Sequence, residues 1–279
     1  MITTVTPIKI VRTPDGLSRP INRLELQLQS LRAQNCRFKI KPIICDASEC
    51  GISDEIKLLC EKYRATYIHI KTNLVWNKPL CLNIGIKSSN PKSKYIATLD
   101  ADIVYRDDVF AMCALCSKNA IMLAQTFFYN KTTINANFSE SAFAHIITHS
   151  SGKMKTKAVN GGIQFFNRKW LFKVRGYDER YNLWGGPDNE MVRRAIGAGL
   201  GVRWLNEGML IHLKHPKHVL NVLNKKDASA YRMAYNVKAY RKKKIITTPN
   251  KHWGEEQYIV GPRTINNEVR IPSYKEVWG

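Results

Sequence analysis

Two acids one residue apart, Asp100 and Asp102, close the run Lys94–Leu99, whose apolar, β-prone character is that of a buried strand. Open α/β sheets place ligands where a strand leaves the sheet, and two carboxylates at i and i+2 there can bind a hard divalent cation such as Mn2+ or Mg2+. Taken alone, such a pair is more often a solvated strand end, so its meaning rests on what accompanies it. Far downstream, His212 and His215 bracket Leu213 and Lys214. Imidazole is a good ligand for Mn2+, and a three-residue step on an extended or turning segment can bring one or both rings to one ion. Without other support a His pair in a basic segment reads as surface decoration. Two glycine pairs, Gly161-Gly162 and Gly185-Gly186, let the backbone approach a ligand closely and tolerate positive φ. Beside the second pair, Trp184 offers either a flat face for a sugar ring or a packing surface.

The segments that would position these residues alternate between short β-branched runs and helical periodicity, the pattern of β-α-β units. A first strand is expected at Ile8–Val11, then a turn-rich loop, Thr13 to Ser18, and a helix through Leu24, Leu28 and Leu31. The strand Lys41–Cys45, the helix Ser53–Tyr63 with Ser53 as N-cap, and the strand Thr66–Ile70 follow. Helices are expected at Asn77–Ser88, on either side of the strand Lys94–Leu99 at Asp107–Ser117, and at Asn189–Ile196, where Asp188 would be the N-cap. Tyr129–His149 has no convincing period and reads as a mobile surface segment over a cleft. Residues 1–220 are read as the catalytic domain and 221–279 as a basic extension carrying Lys225, Lys226, Arg232 and the run Arg241–Lys244, loop-like from Thr247 onward.

Composition narrows the class. The 279 residues suffice for one α/β domain with a substantial core. The longest apolar runs fall well short of the roughly 20 residues of a membrane-spanning helix, and Met1–Thr6 lacks a basic leader, so a cytoplasmic protein with no integral membrane segment is expected. Seven scattered cysteines read as reduced thiols, with Cys113 and Cys116 as core residues on one helix face rather than a metal clip. The formal charge of +22 is far above what solubility needs and implies a polyanionic partner: nucleic acid, an acidic glycan or an anionic membrane surface.

Four blocks then fall in order: Asn160-Gly-Gly-Ile-Gln-Phe-Phe166, Arg175-Gly-Tyr-Asp-Glu179, Trp184-Gly-Gly-Pro-Asp-Asn-Glu190 and Gly208-Met-Leu-Ile-His-Leu-Lys-His215. From Ile8 to His218 the chain resembles the GT-A glycosyltransferases, in particular the metal-dependent branch of β-1,4-galactosyltransferases and polypeptide N-acetylgalactosaminyltransferases. The resemblance implies a Rossmann-like α/β fold, a mixed, mostly parallel sheet flanked by helices, with the basic C-terminal extension appended. It implies a nucleotide-diphosphate sugar donor, such as a UDP-sugar, and a Mn2+ or Mg2+ ion held by Asp102 with His212 and His215. Asp188 matches the family's general base, a role that suits a carboxylate in a partly desolvated cleft. Pro187 departs from the family, where that position is commonly Glu, and Glu190 is a second candidate for the acid. On the donor side the resemblance implicates Asp46 at the end of the second strand for the base, and Asp100, Lys78 and Asn83 for ribose and diphosphate. Arg12 would line the same pocket, and Gly161, Gly162, Trp184, Gly185 and Gly186 would meet the sugar.

The function so implied is displacement of the nucleoside diphosphate by an acceptor hydroxyl, with inversion favoured and retention open. Hydroxylated bases in DNA lead as the acceptor, with a glycan or lipid-linked acceptor at the cytoplasmic membrane face as the alternative. A catalytically inactive nucleic-acid-binding module is a third reading, in which Tyr231, Tyr235 and Tyr240 among the basic residues would stack on bases.

Overall fold

The computed structural model describes residues 1–10, 18–49, 51–117, 119–129, 131, 133–135, 137–149, 160–183, 185–215, 225–242, 247–266 and 268–279. Arg12, Trp184, His218 and Lys243–Lys244, all named above, lie outside the described residues, as does the side chain of Cys116.

The first strand, β1 (Ile2–Ile8), starts earlier than the sequence suggested, and all seven of its residues are buried. Thr3, Thr4 and Thr6 break the apolar run and hide it from a hydropathy reading, yet two of their hydroxyls are absorbed locally. Thr3 meets Ser93 Oγ at 2.7 Å, and Thr6 Oγ1 donates to Gln27 Oε1 at 3.0 Å. Helix α1 (Ser18–Arg32) buries Leu24, Leu28 and Leu31 as expected. Then come β2 (Ile40–Asp46), α2 (Ile52–Lys62) and β3 (Thr66–His69). Helix α2 is capped by Gly51 at φ 92°, two residues before the expected cap, and Ser53 Oγ instead donates back to the carbonyls of Ser48 and Glu49.

Helix α3 (Lys78–Lys87) is capped by Asn77, whose side chain accepts from Leu80 N at 2.7 Å, with Pro79 in the first turn where its missing N–H costs nothing. The buried β4 (Tyr95–Leu99) leads into β5 (Ile103–Tyr105), α4 (Val109–Cys116) and the long β6 (Ala120–Tyr129). Cys113 is fully buried in the core, as read from sequence. Part of the segment expected to be irregular is a helix, α5 (Glu140–His149). Its polar Ser, Thr and His residues conceal the period, but Phe143 is fully buried among Val104, Phe127, Phe138 and Ile211 and fixes one face. The strand β7 (Ile163–Asn167), helices α6 (Arg168–Lys173) and α7 (Pro187–Gly197), and the strand β8 (Gly201–Leu213) complete the main body.

These strands form one sheet in the order β3-β2-β1-β4-β7-β6-β8-β5. β1 pairs parallel with β2 and β4, β2 with β3 and β6 with β8, while β7 runs antiparallel to β4 and β6, and β5 antiparallel to β8. Helices cover both faces of the sheet, so the parallel strands β1 and β4 are buried along their whole length. Ile2, Leu28, Ile44 and Phe110 lie in a core that includes one side of the sheet, and Val5, Ile43, Ile96 and Phe166 in a second one.

The C-terminal part is more ordered than the loop-like reading of Thr247–Gly279. Helix α8 (Lys225–Tyr231) continues into a π-helix (Arg232–Val237) and α9 (Lys238–Lys242). A hairpin, β9 (Arg263–Ile265) and β10 (Glu268–Arg270), precedes α10 (Tyr274–Trp278), which opens with a capping box between Ser273 and Glu276. Trp253 inserts edge-on against Phe172, and Val75 N donates to Pro262 O at 2.8 Å, so this part packs onto the main body. Among the described residues no helix is long and apolar enough to cross a membrane.

Candidate active site

The site assembles where β4 leaves the sheet. Register puts Leu99 opposite Ile163, so Gly161 and Gly162, just before β7, face Asp100. Gly162 N donates to Asp100 Oδ2 at 3.0 Å, and Gly162 O accepts from Tyr105 Oη at 3.0 Å. A side chain at Gly162 would be strained at φ 92°, and its Cβ would stand 2.9 Å from Thr126 Oγ1. At Gly161 a Cβ would sit 3.3 Å from Asp100 Oδ2 and 3.5 Å from Asp188 Oδ2. The bare backbone therefore admits the site's own carboxylates.

Asp102 lies one step further, at most about 7 Å along an extended chain from Asp100. Strand β5 begins there, and Ile103 pairs with His212 across the antiparallel ladder, with Leu213 N donating to Asp102 O at 2.9 Å. That pairing brings together residues over a hundred positions apart. His215 Nε2 is 2.9 Å and His212 Nε2 3.5 Å from Asp102 Oδ2, and one ligand atom from each of the three lies within 4.8 Å of the others. Phe128 supports the His212 ring at 4.8 Å. Burial alone would raise the Asp102 pKa, but the hydrogen bond from His215 and the charge of both imidazoles hold it at about 2. One carboxylate and two convergent imidazoles suit a borderline cation such as Mn2+. Mg2+, which takes oxygen ligands almost exclusively, fits this donor set less well.

Asp188 stands in the first turn of α7, two residues after the helix cap. The cap is Gly186 at φ 114°, which corrects the N-cap reading of Asp188 and leaves its carboxylate free of capping duty. Asp188 and Asp100 share one cation: Lys78 Nζ is 2.6 Å from Asp100 Oδ1 and 3.2 Å from both oxygens of Asp188. Burial raises the Asp188 pKa, Lys78 opposes this, and the Asp100 charge adds to the rise. Lys78 is itself raised: burial pulls it down, but the two carboxylates outweigh burial. Gln164 Nε2 donates to Asp188 O and Asn160 O, both at 2.9 Å, while its Oε1 accepts from Tyr177 Oη at 2.6 Å. Gln164 and Tyr177, which sit inside quoted blocks, thus hold the start of α7 against β7, a role residue type alone did not reveal.

Other expected residues sit elsewhere or do other work. Asn83 is fully buried, and its amide is shared between Tyr177 and Glu179: it donates to Tyr177 O at 2.9 Å and Glu179 Oε1 at 2.8 Å and accepts from Tyr177 N. It has no surface for a donor, because a helix position facing the sheet's partner loop is interior. Asp46 is likewise fully buried, two strands from β4, with its oxygens accepting from Ser48 N at 2.8 Å and Tyr67 Oη at 2.9 Å. Glu190 points into the core, where it forms an ion pair with Arg194, and so does not share the position of Asp188. Gly185 and Gly186 meet protein, in the side chains of Arg232 and Tyr181.

The fold resembles that of known structures. A mannosyltransferase from Pyrobaculum calidifontis, in complex with GDP-Man and Mn2+, aligns over 87% of this chain and 65% of its own at TM-score 0.55 and 15% identity. A Drosophila β1,4-galactosyltransferase 7 mutant, in complex with manganese, UDP-Gal and xylobiose, aligns over 98% and 95% at TM-score 0.51 and 12% identity. The fold is GT-A. Residues 141–219 match the family described as N-terminal domain of galactosyltransferase. In sequence, a probable N-acetylgalactosaminyltransferase 9 from Caenorhabditis elegans is 29% identical over 83 residues, which are 29% of this chain and 14% of that protein. The match thus spans a small part of that relative's length, and Asp188 and His212 lie within the galactosyltransferase-like match over residues 141–219.

Proposed function

We propose that this chain is a glycosyltransferase that moves a sugar from a nucleotide-diphosphate donor to an acceptor hydroxyl. The observation that carries this reading is the adjacency of two clusters on one strand exit. The trio Asp102, His212 and His215 is suited to a divalent cation, and beside it Asp188 is drawn towards Asp100 by Lys78.

Asp188, its carboxyl shifted up by burial, takes the proton of the acceptor hydroxyl as that oxygen bonds to the anomeric carbon. The bond from the anomeric carbon to the diphosphate breaks and its electron pair leaves with the nucleoside diphosphate. A Mn2+ ion at the trio would offset the charge of that leaving group as a Lewis acid. Lys78 holds Asp100 and Asp188 in register and supplies a positive charge on the donor side. Attack by the acceptor on the face of the anomeric carbon opposite the leaving group would give inversion. The donor reading follows the solved neighbours, whose complexes contain GDP-Man and UDP-Gal, and UDP-sugars are the first to test.

The neighbour in complex with xylobiose moves a carbohydrate ahead of DNA as the acceptor class. The charge of +22 keeps an anionic acceptor, hydroxylated DNA included, as the second class. The deciding experiment is a donor and acceptor screen with purified protein and Mn2+ or Mg2+, reading nucleoside diphosphate release. Turnover that survives both Asp102→Ala and Asp188→Ala rules the mechanism out. If transfer needs an anionic acceptor, it weakens steeply with salt.

A further inference from the structure

Asp188 follows two glycines that are both held in conformations other residues avoid, Gly185 at φ 79° and Gly186 at φ 114°. Such a hinge does not choose one geometry by itself, because glycine loses more freedom on ordering than any other residue. Something must fix it, and the π-helix Arg232–Val237 lies directly against it.

A Cβ on Gly185 would collide with Arg232 Nε and Cδ, and one on Gly186 would stand 2.7 Å from the Tyr181 ring and 3.6 Å from Asn236 Cβ. Asn236 is fully buried, and its Nδ2 donates to Asn182 O at 2.8 Å and to Gly185 O at 3.0 Å. One amide thus ties the Asn182 carbonyl to the Gly185 carbonyl. A π turn keeps residues four apart close to one face, so Arg232 and Asn236 address the glycines together, and π turns within α-helices are frequent at functional sites. The π-helix is braced in turn. Tyr235 Oη donates to Pro272 O at 2.9 Å, and Trp278 of α10 meets Tyr181 edge-on at 5.0 Å and the Arg180 guanidinium at 4.6 Å.

We propose that the π-helix, through Asn236, is the positioning device for Asp188. By fixing the Gly185-Gly186 hinge it sets the angle at which α7 presents the carboxylate, so residues 225–279 complete the catalytic unit and are no appendage. Asn236 is a positioning residue and touches neither reactant. The inference rests on the reading of Asp188 as the base, and its test separates the two.

The test compares the unsubstituted 279-residue chain with Asn236→Asp, which keeps the shape but removes both donors, and Asn236→Ala. The expected result is kcat lower by about 10- to 100-fold, the scale of a misplaced catalytic group, with donor KM and Mn2+ affinity within about twofold. Amide exchange at Gly185, Gly186, Asp188 and Asn189 accelerates in the same variants. Unchanged kcat in folded variants, or a loss confined to donor KM, overturns the proposal. If Asn236 variants do not fold, Arg232→Ala, which removes only the side chain lying over Gly185, is read in the same way. If the unsubstituted protein turns over no donor, the glycosyltransferase reading fails, and amide exchange alone decides whether Asn236 fixes the hinge.

Discussion

Lys78 Nζ bridges Asp100 and Asp188, 2.6 Å from the first and 3.2 Å from both oxygens of the second. Removing the cation while keeping the stem, as in Lys78→Met, leaves two carboxylates converging on Gly161 with nothing between them. The Asp188 pKa, already raised by burial, then rises further, because its one opposing influence is gone. Turnover is expected to fall by about 100-fold or more, as for loss of a positioned acid–base group. Lys78→Arg is not expected to rescue it, since a planar fork cannot replace a point charge between two acids. Single-turnover rates at saturating donor check this. Near-normal rates for Lys78→Met would mean that the bridge is only structural.

Glu190 and Asp188 lie two residues apart on one helix yet predict opposite phenotypes. Glu190 forms an i,i+4 ion pair with Arg194, with Arg194 Nε 2.9 Å from Glu190 Oε1, and the guanidinium also donates to Gly176 O at 2.6 Å. Breaking a buried pair by removing one partner costs about 3–5 kcal/mol. Glu190→Gln should therefore melt far earlier, while the remaining folded fraction keeps its kcat. Asp188→Asn should melt almost normally and lose turnover. Denaturation curves paired with activity per folded molecule separate the two.

Several features were legible in the sequence for stated reasons. The abrupt change from Thr98-Leu99 to Asp100 marks a buried strand leaving the sheet, and β4 ends there. The three-residue spacing of His212 and His215 suggested convergence, and the β5–β8 register supplies it. What was hidden lay in polar residues with buried partners. Thr3 and Thr6 of β1, Asn83 and Asp46 are polar by type, but each is satisfied in the interior by a neighbour distant in sequence, such as Ser93, Gln27, Tyr177 or Tyr67. The docking of Asn236 under the glycine hinge was likewise invisible, because no local pattern records which carbonyl a buried amide will find.

Glu179 gives the protein a pH-dependent stability. It is 4% exposed and accepts from Asn83 Nδ2, Asn250 Nδ2 and Gly254 N, which joins α3 to the C-terminal part. Burial raises its pKa from 4.5 to about 7 against the pull of those donors. Between these two values the folded chain keeps a proton that the unfolded chain has released. Its contribution is therefore present in full below about pH 4.5 and lost as pH rises through about 7. The melting temperature should decline across this window and level off above it. In Glu179→Gln this decline should be smaller, since the amide oxygen can still accept from Asn83 and Gly254 without ionising. Equal slopes for the two proteins would assign the pH dependence elsewhere.

The trio of Asp102, His212 and His215 makes the most direct prediction, because it needs no acceptor. A cation that binds the folded chain alone stabilises it by RT ln(1 + [L]/Kd), so Mn2+ should raise the melting temperature in proportion to the logarithm of its concentration. Asp102→Ala should abolish the shift, since it removes the one carboxylate and the group that orients both imidazoles. His215→Ala and His212→Ala should each weaken it, His215 more, as its Nε2 is nearer to Asp102, at 2.9 Å against 3.5 Å. Mg2+ should shift the melt less than Mn2+ at equal concentration, because two of the three donors are nitrogen. Asp102 is held at about 2, so its carboxylate is ionised and able to bind a cation at any working pH. The Mn2+ shift should be lost in the double variant His212→Ala, His215→Ala. A Mn2+ shift that persists undiminished in that variant would place the ion away from these three residues.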